Sequence, residues 1–170
     1  ALDHADRLAG LVLSAPAASD AGAPAALRFA DRVLQAGRIL SALTPRLGLL
    51  GLDPDDISRD PAEVRAYRDD PLVTIGNLPA RTVGELGRAI RTRFARDLGE
   101  LTLPILLVHG TADRLVPPVA SEHVRDRVAS DDVTLRLYPE LRHEVFNELP
   151  DDRERVLTDV AAWLDERAPR

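Results

Sequence analysis

Two short apolar runs stand out along the chain, and both are typical of strands buried inside a parallel sheet. Residues 8–14 form the first run, which Ala15 and Pro16 end; residues 105–109 form the second, which follows Pro104 and ends at Gly110. A strand that is covered on both faces has no solvent-facing positions, so its sequence reads as a nearly continuous apolar stretch. We therefore predict two neighbouring strands of one sheet.

The sequence after the second run alternates between predicted strands, loops and helices. A loop at 110–117 precedes a predicted helix at 118–128, an alternating strand at 133–138, a further loop and a final helix at 151–167. Strands that alternate with helices predict an α/β fold with a doubly wound, mainly parallel sheet.

About 90 residues of different character separate the two apolar runs. Residues 21–51 predict an amphipathic helix with a tail, and residues 82–98 predict a second helical stretch, with Asp-Pro turns between them. The apolar positions at helical spacing are Leu27, Phe29, Ala30, Val33, Leu34 and Leu40. We expect a helical lid at 21–98, inserted between core segments at 1–20 and 99–170.

Composition and charge narrow the class of protein. Hydrophobic residues make up 45% of the chain and charged residues 29%, which is the balance of a globular protein. The net charge is −6, and the basic residues, all arginine, are interspersed with acidic ones, so we expect no nucleic-acid partner. The absence of cysteine excludes disulfides and thiolate sites.

No apolar stretch approaches the roughly 20 residues that span a bilayer. We expect a protein that is cytoplasmic or peripherally associated with a membrane. The chain begins with Ala1 and its first apolar run follows within a few residues, so we also expect native sequence upstream.

Candidate chemistry lies in the loops that follow the two C-terminal strands. Asp113 comes four residues after the run at 105–109, and His143 comes a few residues after the strand at 133–138. Loops at the carboxyl ends of parallel strands meet at one edge of a sheet. A carboxylate there can orient an imidazole that acts as a base, in the order acid before base that α/β hydrolases use.

Structural explanations compete with this interpretation. An aspartate in a Gly-x-x-Asp loop is often a turn or cap residue, and a single histidine after a strand is often structural. His109, Asp113 and His143 could also be considered as metal ligands, but their spacing matches no known ligand pattern. We expect no metal and no cofactor.

The two loops resemble the monoacylglycerol lipase family, in the runs His-Gly-Thr-Ala-Asp-Arg-Leu-Val-Pro at 109–117 and Leu-Tyr-Pro-Glu-Leu-Arg-His-Glu-Val-Phe-Asn-Glu at 137–148. Residues 11–16 and 57–72 are similar to that family as well. The resemblance implies an α/β hydrolase that cleaves a small lipid ester, with Asp113 as the triad acid and His143 as the base. The apolar lid implies peripheral membrane contact, and Leu49, Leu50 and Val116 are candidates for substrate binding.

The family's nucleophile motif, Gly-x-Ser-x-Gly, does not occur in this sequence, and neither does the His-Gly loop of its oxyanion hole. We expect both to lie upstream of Ala1, in a first half of the hydrolase domain that this chain needs as a partner, and we expect the chain alone to be inactive. Ser14 is followed by Ala15-Pro16, which does not suit a nucleophile elbow. The other serines have helical or turn contexts and are predicted to be caps or surface residues: Ser19, Ser41, Ser58, Ser121 and Ser130.

Other functions remain open at this point. The same fold would suit a lysophospholipase, a general esterase, an epoxide or haloalkane hydrolase with an aspartate nucleophile, or a peptidase-like enzyme. A non-catalytic α/β binding protein, in which Asp113 and His143 are structural, is the alternative from a different class. The identity of the nucleophile and turnover of a simple ester would separate these alternatives.

Overall fold

The computed structural model describes residues 2–18 and 48–167. Its strands are β1 (Leu11–Ser14), β2 (Gly48–Leu52), β3 (Gly76–Pro79), β4 (Ile105–Gly110) and β5 (Val133–Tyr138). Its main helices are α1 (Pro61–Asp69), α2 (Ala80–Ala89), α3 (Val119–Arg125) and α4 (Pro150–Asp165). Short 3₁₀ turns occur at Leu2–Arg7, Pro54–Asp56, Leu98–Glu100 and Val145–Asn147.

The central sheet is parallel and has the strand order β1-β4-β5. Leu11 pairs with Ile105, and Ile105 pairs in turn with Val133, so all three strands run in the same direction. Helix α3 connects β4 to β5, as a crossover between parallel strands requires. The predicted α/β class and mainly parallel sheet are confirmed.

Strand β4 is buried on both faces, which explains its continuous apolar sequence. Alternate side chains of β4 contribute to two separate clusters, because successive residues of a strand point to opposite faces. The cluster that includes α4 contains Leu106, Val108, Tyr138, Leu141, Val145, Val156 and Trp163. The cluster that includes α3 contains Leu98, Leu101, Ile105, Leu107 and Val124. Side chains on opposite faces thus hold β4 rigidly, and the loop that follows it starts from a fixed point.

The insertion is not wholly helical. Strands β2 and β3 form an antiparallel pair of their own, with Leu50 opposite Leu78 and Leu52 opposite Gly76. The helix predicted within 21–51 lies outside the described residues, and the tail predicted after it includes the start of strand β2 at Gly48. Two glycines in four residues disfavour a helix, and pairing with β3 satisfies the backbone instead.

The other regular elements in the described part of the insertion are helical. Asp60 caps α1 by accepting a hydrogen bond from the Ala62 amide, and Pro61 takes the first helical position. The helix predicted for 82–98 is observed as α2, followed by a π turn at Ile90–Phe94 and a short helical segment at Ala95–Asp97. Of the helices in the described ranges, none combines the length and apolar character needed to cross a bilayer.

Candidate active site

Asp113 lies in the loop after β4, which we call the acid loop (residues 111–117). Its Oδ1 atom accepts hydrogen bonds from the amides of Leu115 and Val116, at 2.8 and 2.9 Å. The Asp113 side chain is completely buried. The loop therefore closes around its own carboxylate and presents the second oxygen, Oδ2, to the loop after β5.

His143 lies in that second loop, the base loop (residues 139–148). Its Nδ1 atom is 2.7 Å from Asp113 Oδ2, and 28% of the His143 side chain is exposed. Because a carboxylate only accepts hydrogen bonds, Nδ1 carries the hydrogen in the neutral ring and Nε2 keeps its lone pair. A buried carboxylate thus orients an accessible imidazole, and the roles of triad acid and base stay predictions.

The same carboxylate oxygen has a second imidazole partner. His109, the fifth residue of β4, is fully buried, and its Nε2 atom lies 3.1 Å from Asp113 Oδ2 and 2.8 Å from the Val116 carbonyl. Its Nδ1 atom lies 2.6 Å from Ser121 Oγ on α3. Asp113 is therefore bound by two ring nitrogens and two backbone amides.

These donors control the charge of Asp113. Burial by itself would raise the pKa of the carboxyl, but the hydrogen bonds from His109, His143 and Val116 outweigh it and hold the pKa well below the usual aspartate range. Asp113 is consequently an anion at any pH at which His143 could act as a base.

Backbone hydrogen bonds join the acid loop to the end of β5 and to the base loop. The Thr111 amide donates to the Tyr138 carbonyl and the Ala112 amide to the Leu141 carbonyl, each at 2.9 Å. Gly110 allows this approach, since a Cβ atom there would overlap the carbonyl oxygens of Leu141 and Arg142. The position of His143 is thus set by direct contact with the loop that carries Asp113.

A buried glutamate holds the other end of the base loop. The side chain of Glu148 is fully buried; it accepts a hydrogen bond from the Arg142 amide at 2.6 Å and forms an ion pair with Arg59 at 2.9 Å. Arg59 also contacts Asp152 at the start of α4. A buried carboxylate is stable only when it is paired in this way.

The segment 57–60 therefore packs directly on the base loop. Ser58 is fully buried and its hydroxyl donates to the Asn147 carbonyl at 2.6 Å, while the Glu144 amide donates to the Ile57 carbonyl at 2.8 Å. The prediction of a cap or surface residue holds for Ser58 only as a cap, because its buried hydroxyl also accepts from the Asp60 amide at 2.9 Å; it was wrong for Ser121, which is buried and bonds to His109.

The predicted substrate-binding residues Val116, Leu49 and Leu50 lie in two different elements of the structure. Val116 contributes its backbone amide and carbonyl to the acid loop, and a role of its side chain in substrate binding remains a prediction. Leu49 and Leu50 lie on β2, and their predicted role is likewise untested. Among the residues described, no cluster of three or more His, Cys, Asp or Glu has an arrangement that could hold a metal ion.

The sequence prediction missed the residues that support the pair: His109, Ser121, Arg59 and Glu148. A signal was present only for His109, because a histidine at the end of a wholly apolar strand must be buried, and buried ring nitrogens require partners. No periodic pattern marks Glu148 or Arg59, which are separated by 89 residues and meet only in the folded chain.

An acid and a base on adjacent loops, at the carboxyl ends of parallel strands, define the arrangement of an α/β hydrolase. Residues 1–150 match the family Hydrolase_4, described as serine aminopeptidase, S33. The chain belongs to this family.

Its relatives confirm the resemblance seen in the loop motifs. Monoacylglycerol lipase of Mycolicibacterium smegmatis is 43% identical over 159 residues, which cover 91% of this chain and 52% of that protein. Human monoglyceride lipase is 32% identical over 167 residues, which cover 98% of this chain and 54% of that protein. The chain thus spans about half the length of these curated relatives.

Solved structures agree on the fold. The crystal structure of Paleococcus ferrophilus monoacylglycerol lipase has a TM-score of 0.73 at 27% identity, over 98% of this chain and 62% of that one. A soluble variant of monoglyceride lipase from Saccharomyces cerevisiae, in complex with a substrate analog, has a TM-score of 0.73 at 22% identity, over 98% of this chain and 61% of that one. The second match supports the fold alone.

Proposed function

We propose that these residues form the acid and base portion of a serine esterase that hydrolyses monoacylglycerols or similar lipid esters. The observation that carries the proposal is the 2.7 Å contact between His143 Nδ1 and Asp113 Oδ2, with the acid buried and the base accessible. The similarity to monoacylglycerol lipases supports the substrate class.

His143 would act through its Nε2 atom. It takes the proton of the serine hydroxyl as the oxygen attacks the acyl carbonyl, and it returns this proton to the glycerol oxygen when the ester C–O bond breaks. In the second half of the reaction, His143 takes a proton from the water molecule that attacks the acyl-serine carbonyl. It gives this proton to the serine oxygen as the bond between that oxygen and the acyl carbon breaks, and the fatty acid leaves. Asp113 stabilises the imidazolium that forms in each step, and it keeps the Nδ1–H tautomer in place between steps.

We place the nucleophilic serine in a segment upstream of Ala1, together with the oxyanion hole. In support, four serines within the described ranges make no hydrogen bond to His143. Ser58 and Ser121 are buried with other partners, Ser130 bonds to Asp132, and Ser14 is exposed at the end of β1. On this proposal, residues 1–170 alone have a base with no hydroxyl to activate.

The test uses the full-length protein and a monoacylglycerol with a long acyl chain. We expect turnover, stoichiometric labelling by a fluorophosphonate, and loss of turnover in His143→Ala, since the proton acceptor is gone. His123→Ala on α3 is the matched control and should keep its activity. A wild-type protein that is folded but neither labelled nor active on esters would contradict the proposal, as would labelling of residues 1–170 alone that is lost in Ser14→Ala.

A peptidase is the second candidate, because the family description is serine aminopeptidase. The same acid and base would serve amide cleavage, with His143 protonating the leaving amine. Assays with aminoacyl anilides and with monoacylglycerols would distinguish the two activities. A higher kcat/KM for the anilide would favour a peptidase over a lipid esterase.

We further propose that residues 21–98 act as the lid over this site and contact membranes peripherally, and that residues 1–20 and 99–170 form the core. The leucine-rich stretch at 43–52 supports the membrane contact, and the position of the insertion between the predicted strands at 8–14 and 105–109 supports the division. Its test is sedimentation with phosphatidylcholine vesicles, where the full-length protein should bind and a variant with Leu49→Asp and Leu50→Asp should bind less.

A further inference from the structure

A fully buried histidine, His109, lies behind the proposed triad and has no part in the chemistry described above. Removing an imidazole from water is unfavourable unless its ring nitrogens find hydrogen-bond partners inside the protein. Both nitrogens of His109 do so, at 2.6 Å from Ser121 Oγ and at 2.8 and 3.1 Å from the Val116 carbonyl and Asp113 Oδ2. The position of each partner determines where the ring hydrogen must be.

The tautomer of His109 follows from the chemistry of these partners. A carbonyl and a carboxylate both only accept hydrogen bonds, and both face Nε2, so Nε2 must carry the hydrogen. In the neutral ring, Nδ1 then has a lone pair, which accepts the hydroxyl hydrogen of Ser121. The two acceptors at Nε2 thus select the tautomer that donates toward Asp113, and the Ser121 hydroxyl satisfies Nδ1 by donating to it.

Asp113 Oδ2 is consequently shared between two ring donors, His143 at 2.7 Å and His109 at 3.1 Å. Two donors hold the oxygen from two directions, which restricts rotation of the carboxyl group more than one donor would. The second donor also takes part of the negative charge, so the carboxylate binds the His143 hydrogen less strongly than an unshared carboxylate would.

We propose that His109 is a positioning residue for the triad acid, and that the Ser121 hydroxyl, by donating to Nδ1, strengthens the Nε2–H donor that faces Asp113. This inference rests on the proposed function. The Ser121–His109 pair keeps the Asp113 carboxylate oriented toward His143 and shares the negative charge of its Oδ2 atom with the His143 ring.

The other charged groups near Asp113 are engaged elsewhere. The Arg114 side chain is 81% exposed and lies 3.6 Å from the Asp56 carboxylate, and the buried Glu148 binds Arg59 and the Arg142 amide. The hydrogen bonds that act on the titration of Asp113 come from His109 on β4, from His143 on the base loop and from the Val116 amide. A substitution at His109 should therefore affect His143 mainly through its effect on the Asp113 carboxylate.

The experiment compares His109→Leu, His109→Gln and Ser121→Ala in the full-length protein. Leucine removes both ring hydrogen bonds, whereas a glutamine amide can place an N–H donor where Nε2 was. His123→Gln is the matched control, since His123 lies on α3 and makes no hydrogen bond to Asp113 within the described part of the chain. The readouts are kcat/KM against pH with a short-chain ester, and the titration of the His143 ring by ¹⁵N NMR.

We expect His109→Leu to lose roughly 10- to 100-fold in kcat, with little change in KM, as for a lost hydrogen bond to a charged group. The pKa of His143 should rise, by roughly half to one unit, because Asp113 becomes a stronger acceptor. Glutamine should restore kcat to within about fivefold and return the pKa to its wild-type value. Ser121→Ala should raise the pKa of His143 in the same direction as His109→Leu.

An unchanged His143 titration in both His109→Leu and Ser121→Ala would overturn the inference, and so would equal losses in the leucine and glutamine variants. If the leucine variant does not fold, the comparison of Ser121→Ala with His109→Gln decides in the same way. A folded wild type without ester turnover would refute the proposed function only, since the NMR titration of His143 still tests the role of His109.

Discussion

Replacement of Asp113 by asparagine is the sharpest test of the site, because the geometry leaves the amide no good orientation. Oδ1 accepts hydrogen bonds from the Leu115 and Val116 amides, and Oδ2 accepts from the rings of His143 and His109. An asparagine that keeps its oxygen toward the backbone must point its NH₂ group at two ring nitrogens that both carry hydrogens.

The two histidines respond differently to that conflict. His109 cannot move its hydrogen to Nδ1 without placing the Nε2 lone pair against the Val116 carbonyl oxygen, which can only accept. His143 can, and it would change to the Nε2–H tautomer, which has no lone pair toward a nucleophile. The flipped amide is no better, because its NH₂ group would face two backbone N–H donors.

The loss should therefore appear in kcat. A wrong tautomer in a serine protease triad lowers kcat about 10⁴-fold, which corresponds to about 5 kcal/mol of transition-state stabilisation. We expect a loss approaching that size for Asp113→Asn in the full-length protein. Stability should fall as well, by about 2 to 5 kcal/mol, because buried donors lose a charged acceptor.

The assay is ester turnover at saturating substrate from pH 5 to 9, with urea unfolding measured on the same samples. Asp131→Asn, at an exposed position before β5, is the matched control and should change neither quantity. Retention of kcat within threefold of wild type, in a folded Asp113→Asn protein, would refute the argument that Asp113 orients the base.

Three further results are expected. Gly110→Ala should lower the free energy of unfolding in urea by roughly 1–3 kcal/mol, because the Cβ atom of alanine would overlap carbonyl oxygens of the base loop. An unchanged urea midpoint would contradict the close packing of the two loops. The pKa of Asp113 is depressed in the folded state, so the stability that this carboxylate contributes is present above its unfolded pKa of about 3.9. This stability is lost as the pH falls toward the lower pKa of the folded state. The free energy of unfolding in urea should therefore decline more steeply from pH 5 to 2 in wild type than in Asp113→Asn. Replacing Leu49 and Leu50 by aspartate should reduce turnover of long-chain esters more than that of short ones, and equal losses would favour a packing role.

The segment Gly48–Leu52 shows where the local sequence pattern was insufficient. Gly48–Leu52 is a stretch of leucine and glycine that fits the end of a helix or a short strand equally well by composition, and only the partner β3 decides for the strand. Strand pairing between segments more than 20 residues apart cannot be detected in the sequence of either segment alone, since backbone hydrogen bonds do not depend on side-chain identity.

The sequence by itself determined the parallel core and the two loops that matter. A continuous apolar run is compatible only with burial on both faces, so β4 could be located, and Asp113 and His143 followed as the polar residues just beyond β4 and β5. Tertiary structure alone decided what surrounds the pair. His109 and Ser121 meet because α3 packs on β4, and Glu148 meets Arg59 because segment 57–60 packs on the base loop. The hydrophobic effect is non-directional, and it specifies which residues are buried through the periodicity of apolar positions in the sequence. Hydrogen bonds between distant polar groups depend instead on a geometry that exists only after the chain has folded.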